Sequence, residues 1–130
     1  MQKLFFILIF LSFYNLNAEV LKDYDSNGLI KSEREYIKRM LRSEKYYDNG
    51  KKHGVFKTYF ASGEILNEIS YKNGIQEGLS NTYYKTGRLK SKEYYVKGKK
   101  SGTFKKYNRI GLLLEEENFR AGKKDGAFRK

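Results

Sequence analysis

From residue 50 onward, glycine and apolar positions recur with a fixed step of 24 residues. Gly50, Gly74, Gly98 and Gly122 form one column, Gly54, Gly78, Gly102 and Gly126 a second, and Gly63, Gly87 and Gly111 a third. Tyr59, Tyr83 and Tyr107 keep the same step, as do Ile65, Leu89 and Leu113, and Tyr47, Tyr71, Tyr95 and Phe119. Phe56, Phe104 and Phe128 share a column in which Ser80 is the exception. So many columns in one register mark a repeat array. Each unit reads as a hairpin: Val55 to Phe60 is one strand, Ala61-Ser62-Gly63-Glu64 a turn, and Ile65 to Tyr71 a second strand. The segment Asn73 to Gly78 leads into the next unit, with glycines where the turns need positive φ. Alternation along a strand puts Ile65, Asn67, Ile69 and Tyr71 on one face, opposite Leu66, Glu68 and Ser70. The columns through Tyr59, Ile65 and Tyr71 are therefore expected to form a stacked aromatic-aliphatic face. A lone hairpin has too little to bury, so neighbouring units must stack. The expected fold class is all-β: an open, single-layer antiparallel sheet of consecutive 24-residue β-hairpins.

The regular units run over residues 50–130, and residues 24–48 are a degenerate version of them. Tyr24, Gly28, Ile30, Glu33 and Tyr36 reproduce the spacing of Tyr59, Gly63, Ile65, Glu68 and Tyr71. A shortened connection, Ile37-Lys38-Arg39, leads to a strand from Leu41 to Tyr47. The array ends partway through a strand, at Ala127-Phe128-Arg129-Lys130, where a short charged edge guards against edge-to-edge association. Ahead of the array, Lys3 supplies a positive start and Leu4 to Phe13 an apolar run of ten residues broken only by Ser12. Polar residues then close on Ala18, in the manner of a cleaved secretory signal. The run falls short of the ~20 residues that span a bilayer. Two segments follow: a signal peptide at 1–18 and the repeat array at 19–130, with the mature chain periplasmic or secreted.

Charge and composition narrow the partners. Loss of Lys3 with the leader takes the 27 basic residues to 26 against 15 acidic ones, a net charge of +11 that favours anionic partners. The chain has no Cys, so neither a disulfide framework nor a lipid-modified cysteine is available to this exported chain, and packing alone holds it. Twelve tyrosines and nine phenylalanines with no Pro suit uninterrupted strands joined by tight turns.

The run YFASGEILNEISYKNGIQEGLSNTYYKTGRLKSKEYYVKGKKSGTFKKY, with its Gly-x-x-x-Gly turn and Tyr-x-x-x-Gly-x-(Leu/Ile) pattern, resembles the bacterial variant of the MORN repeat across roughly residues 24–130. The resemblance implies an elongated, twisted sheet of hairpins and a binding or scaffolding role, often at membranes, without catalysis. Some bacterial proteins of this kind carry the label of antitoxin component in toxin–antitoxin systems. Here Phe or Tyr stands where such repeats often have Trp, and a signal peptide precedes the array.

Two sets of residues are candidate binding elements. Lys51 and Lys52, Lys99 and Lys100, and Lys123 and Lys124 occupy equivalent turn positions, interrupted by Ile75-Gln76. With strands ~4.8 Å apart they would line one edge of the ladder, at about 10 Å per hairpin. Such a row attracts anionic head groups or polymers; its plain alternative is a solvated edge. The second set is an aromatic face of Tyr59, Tyr71, Tyr83, Tyr95, Tyr107 and Phe119. Adjacent pairs such as Tyr46-Tyr47, Tyr83-Tyr84 and Tyr94-Tyr95 put one ring on each side of a strand; one face is expected to be core, and the second is open as a candidate ligand platform.

Signals for other chemistry are poor. Asp23 to Ile30 matches the opening of an EF-hand loop, but position twelve is Arg34 rather than Glu. Ser32 to Glu35 would alternatively cap a helix carrying Tyr36, Ile37, Met40 and Leu41. His53, the sole histidine, sits in a lysine-rich turn without an orienting partner. Gly98 to Thr103 lacks the order of a phosphate loop. Glu115, Glu116 and Glu117 alternate across a strand and do not converge. The sequence thus predicts an exported, non-catalytic binding or scaffolding module with no cofactor, no metal and no small-molecule substrate. Its expected partner is a protein or an anionic membrane or polymer surface, with nucleic acid disfavoured. A second reading is an antitoxin-like or immunity-type protein that occludes a partner toxin.

Overall fold

The computed structural model describes residues 17–126. The expected leader up to Leu16 and the terminal segment Ala127–Lys130, with Phe128, lie outside the described residues. The first strand, β1 (Ala18–Tyr24), begins at the residue where the leader is expected to end.

A strong two-residue periodicity and glycine-centred turns leave the chain no route but consecutive hairpins. After β1 come β2 (Ile30–Ile37), β3 (Met40–Asp48), β4 (Lys51–Lys52), β5 (Gly54–Tyr59), β6 (Ile65–Lys72) and β7 (Ile75–Tyr83). They are followed by β8 (Leu89–Val96), β9 (Lys99–Lys100), β10 (Gly102–Tyr107), β11 (Leu113–Arg120) and β12 (Lys123–Lys124). All belong to one open 12-stranded antiparallel sheet whose spatial order β1-β2-β3-β5-β6-β7-β8-β10-β11-β12 follows the sequence; β4 and β9 are short outriders on β3 and β8. The clearest hairpin spans Gly54–Tyr59 and Ile65–Lys72, one residue off the expected limits of its first strand.

Two kinds of turn alternate. The wide turn at Phe60–Glu64 is closed by Gly63 N–H to Phe60 C=O at 3.0 Å and Phe60 N–H to Glu64 C=O at 2.8 Å. The same pair of bonds recurs at Tyr84–Arg88 and Asn108–Leu112. The tight turns at the other end of the strands are two-residue reversals such as Asn73-Gly74 and Lys97-Gly98, with both residues at positive φ. That is the primed hairpin geometry for which Asn-Gly is the favoured pair. In each, the glycine N–H reaches back one repeat: Gly74 to Lys52 C=O at 2.8 Å, Gly98 to Gln76 C=O at 2.9 Å, and Gly122 to Lys100 C=O at 2.8 Å.

The helix weighed for Ser32 to Leu41 does not form; the stretch is the β2–β3 hairpin. Lys38 and Arg39 adopt φ of 50° and 64° and reverse the chain in two residues. The Ser32 hydroxyl donates to Asp23 on β1 instead of capping a helix.

A single layer buries little. Among the described residues Phe56 is the one buried apolar side chain, 9% exposed. It packs between Tyr47, with ring centroids 5.6 Å apart, and Tyr71, at 4.6 Å. Stability therefore rests on ladder hydrogen bonds and on many small cross-strand contacts, as in other repeat architectures.

Candidate binding surface

The register sorts the side chains onto two faces. Phe56 pairs with Ile69, and Gly54 with Tyr71, on what we call the ring face. Lys52 extends over this cluster, its Nζ 5.5 Å from the Phe56 centroid and 4.9 Å from that of Tyr71. Two repeats later Lys100 covers Phe104 at 4.7 Å and Phe119 at 4.9 Å while holding Glu93 at 3.1 Å. Between these clusters runs a polar row in which Asn67 donates to Thr58 at 3.0 Å and Thr82 donates to Asn67 at 3.0 Å. At the N-terminal end Glu33 accepts from Lys45 at 2.6 Å and meets Lys22 at 3.4 Å. Burial pushes the Glu33 carboxyl up, but the two lysines outweigh it and hold it below the ordinary value. The hydrogen bond to Glu33 raises Lys45 in turn, against its own burial.

On the opposite face one cross-strand row carries charge from end to end. Arg34 pairs with Glu44, Glu44 with Lys57, and Lys57 with Glu68. Glu68 then pairs with Asn81, Asn81 with Lys92, Lys92 with Lys105, and Lys105 with Glu116. Tyr59 donates to Glu44 at 2.6 Å and Tyr83 donates to Glu68 at 2.7 Å. Burial, with the carboxylate as hydrogen-bond partner, raises both phenols above their ordinary range. Along this row lies a shallow depression of ≈ 380 Å³ lined by Tyr46, Val55, Lys57, Glu68, Ser70, Leu79 and Asn81. Tyr46, Val55, Leu79 and Tyr94 are 39–44% exposed, an uncovered apolar strip for a chain this polar.

The expected aromatic face is thereby corrected. Tyr71 joins Phe56 and Tyr95 bonds Glu93, both on the ring face, whereas Tyr59 and Tyr83 reach the carboxylate row on the other side. Phe119 lies under Lys100 with the ring face, and the Tyr107 carbonyl accepts the Tyr84 hydroxyl at 2.8 Å. The cause is the cross-strand register: Val55 and Lys57 pair with Ser70 and Glu68, and alternation places Tyr59 with them, away from the face of Ile69 and Tyr71. The bulge between Thr58 and Tyr59 then sets Tyr59 across from Ile65, and the same slip occurs between Thr82 and Tyr83. How the faces of two paired strands correspond is not visible in the period-two pattern of either strand alone.

The lysine pairs are likewise placed differently from expectation. They are not in the turns but in the short strands just after them, β4, β9 and β12. Lys52 and Lys100 fold onto rings, and Lys124 is held by Glu117 at 2.6 Å. Lys51 and Lys99 instead stack along the ladder: their Cβ atoms lie 3.9 and 3.8 Å from where a Cβ on Gly74 or Gly122 would stand. Ile75 fills the same place against Gly98 at 3.3 Å. Lys51, Lys99 and Lys123 thus mark one column at the tight-turn end of the sheet. Lys38, Arg39, Lys72 and Lys97, absent from the sequence-level set, flank the same turns. Their signal was the tight-turn column itself, where Asn49 and Asn73 give way to Lys97.

The remaining candidates have ordinary structural duties. Asp25 Oδ1 accepts the Asn27 and Leu29 N–H groups at 2.9 Å each, and Asp23 is engaged by Ser32 and by Arg34 at 3.2 Å. Among the described residues no group of three or more His, Cys, Asp or Glu could hold a metal ion. Glu115, Glu116 and Glu117 each meet a different lysine, at 3.9, 3.3 and 2.6 Å. Gly98 to Thr103 runs from a tight turn into β10, and His53 donates its backbone N–H to Tyr46 C=O at 2.9 Å.

The family model described as MORN repeat variant matches two adjacent repeats, residues 52–73 and 76–97. Both matched segments run from the strand after one tight turn to the next tight turn, one full 24-residue step apart. No curated protein matches the sequence.

Proposed function

We propose that this chain, whose two central units are MORN-type repeats, is an exported, non-catalytic binding module that engages an anionic membrane or polymer surface through the tight-turn edge of its sheet. The observation that carries the reading is the column of Lys51, Lys99 and Lys123, in register along the ladder with their neighbours Lys38, Arg39, Lys72 and Lys97. Asp48, Glu77 and Asp125 bring negative charge near the same turns, and Asp125 is paired with Arg120 at 2.8 Å. At about 10 Å per hairpin, Lys99 and Lys123 stand roughly one Debye length of physiological salt apart, and Lys51 and Lys99, with Ile75 between them, about 20 Å, so each acts on its own patch of surface. At about 1 kcal/mol per lysine near a charged surface, such an edge gives reversible, salt-sensitive attachment. The apolar leader at Leu4–Phe13 supports export.

The test is co-sedimentation with phosphatidylglycerol vesicles and with an acidic polysaccharide. Binding is expected at low salt, to weaken as salt rises, and to fall steeply in the Lys51→Glu, Lys99→Glu, Lys123→Glu triple variant. Equal sedimentation of wild type and triple variant would remove the edge from the mechanism. Export is checked on the mature protein from its native host, whose N-terminal residue is expected to be Glu19.

A further inference from the structure

The face opposite the rings combines an uncovered apolar notch with an unneutralised charge. Residues 46, 70, 94 and 118 share a column, in which Ser70 stands between Tyr46 and Tyr94 and Asn118 follows. The missing ring opens the depression beside Val55 and Leu79. Asn81 lines it as well, and its Oδ1 is buried and has no hydrogen-bond partner. Next along the row, Lys92 lies directly across from Lys105. Position 92 belongs to the column of Glu44, Glu68 and Glu116, so one lysine replaces a carboxylate and sets like charges opposite each other, an unfavourable cross-strand pair. Glu116 answers Lys105 at 3.3 Å, and among the described residues Lys92 has no ion-pair partner.

We propose that this face docks an amphipathic helix of a protein partner, laid across the strands, with an acidic residue set against Lys92 and Lys105. Val55 and Leu79 are equivalent residues of successive repeats, about 10 Å apart along the ladder. A helix presents side chains at i and i+7 on one side at a spacing of about 10.5 Å. An extended segment crossing the strands offers same-face side chains at about 6.6 and 13 Å and matches neither anchor. A carboxylate roughly one helical turn beyond the second anchor reaches the lysine pair. Along the same row Glu44, Glu68 and Glu116 are interleaved with Arg34, Lys57, Lys92 and Lys105, a mixed charge unlike the lysine edge, so the Leu79→Glu variant separates the two interactions.

The probe is a fluorescein-labelled helical peptide of about sixteen residues, with leucines at i and i+7 and glutamate at i+11, titrated with the full chain and read by anisotropy. Saturable binding is expected, weakened at least about tenfold by Leu79→Glu, an exposed position whose folding is verified by circular dichroism. The Lys92→Glu, Lys105→Glu variant loses binding to the glutamate peptide and regains it with a lysine at i+11. Absence of saturable binding, or curves unchanged in both variants, overturns the proposal. So does light scattering that shows a dimer dissociated by Leu79→Glu, which gives the face to a second copy. Loss of vesicle binding on Leu79→Glu overturns it too, by giving the face to lipid.

Discussion

Tyr83 donates its phenolic hydrogen to Glu68 at 2.7 Å, and one repeat earlier Tyr59 makes the same bond to Glu44 at 2.6 Å. In the third repeat the acceptor is replaced by Lys92, which leaves no carboxylate among the described residues in the equivalent place for the Tyr107 hydroxyl. Tyr83→Phe is therefore expected to cost about 1.5 kcal/mol, the lower range for a hydrogen bond to a charged group. Tyr107→Phe should cost little. Urea denaturation of the two variants beside the wild type checks the difference, and equal losses would contradict the assignment.

The same phenols govern behaviour in alkali. Burial and the Glu93 carboxylate push Tyr95 from 10 up to about 12, and Tyr59 and Tyr83 are raised in the same direction. A folded-state value above the unfolded one means the folded protein holds more protons between the two. The associated stability is whole below pH 10 and is lost as pH climbs through about 12. Ultraviolet titration of the phenolate should show a late-titrating class, and Tyr95→Phe should shrink the fall in melting temperature across that window.

The tight turns are not all built from the best residues. Lys97 and Ala121 sit at φ of 49° and 51°, where Asn49 and Asn73 stand in the other repeats. Asn tolerates this conformation better than Lys or Ala, so Lys97→Asn and Ala121→Asn are each expected to stabilise by about 0.5–1 kcal/mol. Thermal melts of the single variants test it; a lower melting temperature in both would count against the turn assignment.

How much of this was legible in the sequence depends on which columns carried the meaning. The glycine columns dictated both kinds of turn, because residues such as Gly63 and Gly74 must adopt positive φ, and from the turns the sheet followed. The faces are not legible where strands join: period two orders residues within each strand, but whether Tyr59 shares a side with Tyr71 depends on the pairing of Val55 with Ser70 and Lys57 with Glu68. The lysine pairs were found, but not the fact that Lys52 and Lys100 cover rings while Lys51 and Lys99 stack along the edge; two adjacent lysines look alike until the strand fixes where each points. Lys92 was visible all along as a lysine in a column of glutamates. Its meaning needed the register, which sets it opposite Lys105.

Phe56 is the anchor of the most closely packed part of the sheet. Truncation by Phe56→Ala removes the contacts with Tyr47 and Tyr71 and is expected to cost about 3 kcal/mol, the lower end for a buried phenylalanine because a thin sheet collapses easily around the gap. Ser80→Phe, which restores the interrupted column, should be tolerated or stabilising. Chemical denaturation of both variants measures it, and a loss under 1 kcal/mol for Phe56→Ala would mean the ring cluster contributes little.

The hydrogen bonds that tie Gly74 to Lys52, Gly98 to Gln76 and Gly122 to Lys100 make the molecule a ruler. Each added copy lengthens it by about 10 Å and returns every surface feature to the same side, so reach scales with copy number while chemistry stays in phase. Removing one complete copy shortens the span and leaves the remaining faces aligned. Removing an odd number of residues within a strand would turn one side of the sheet into the other from that point on.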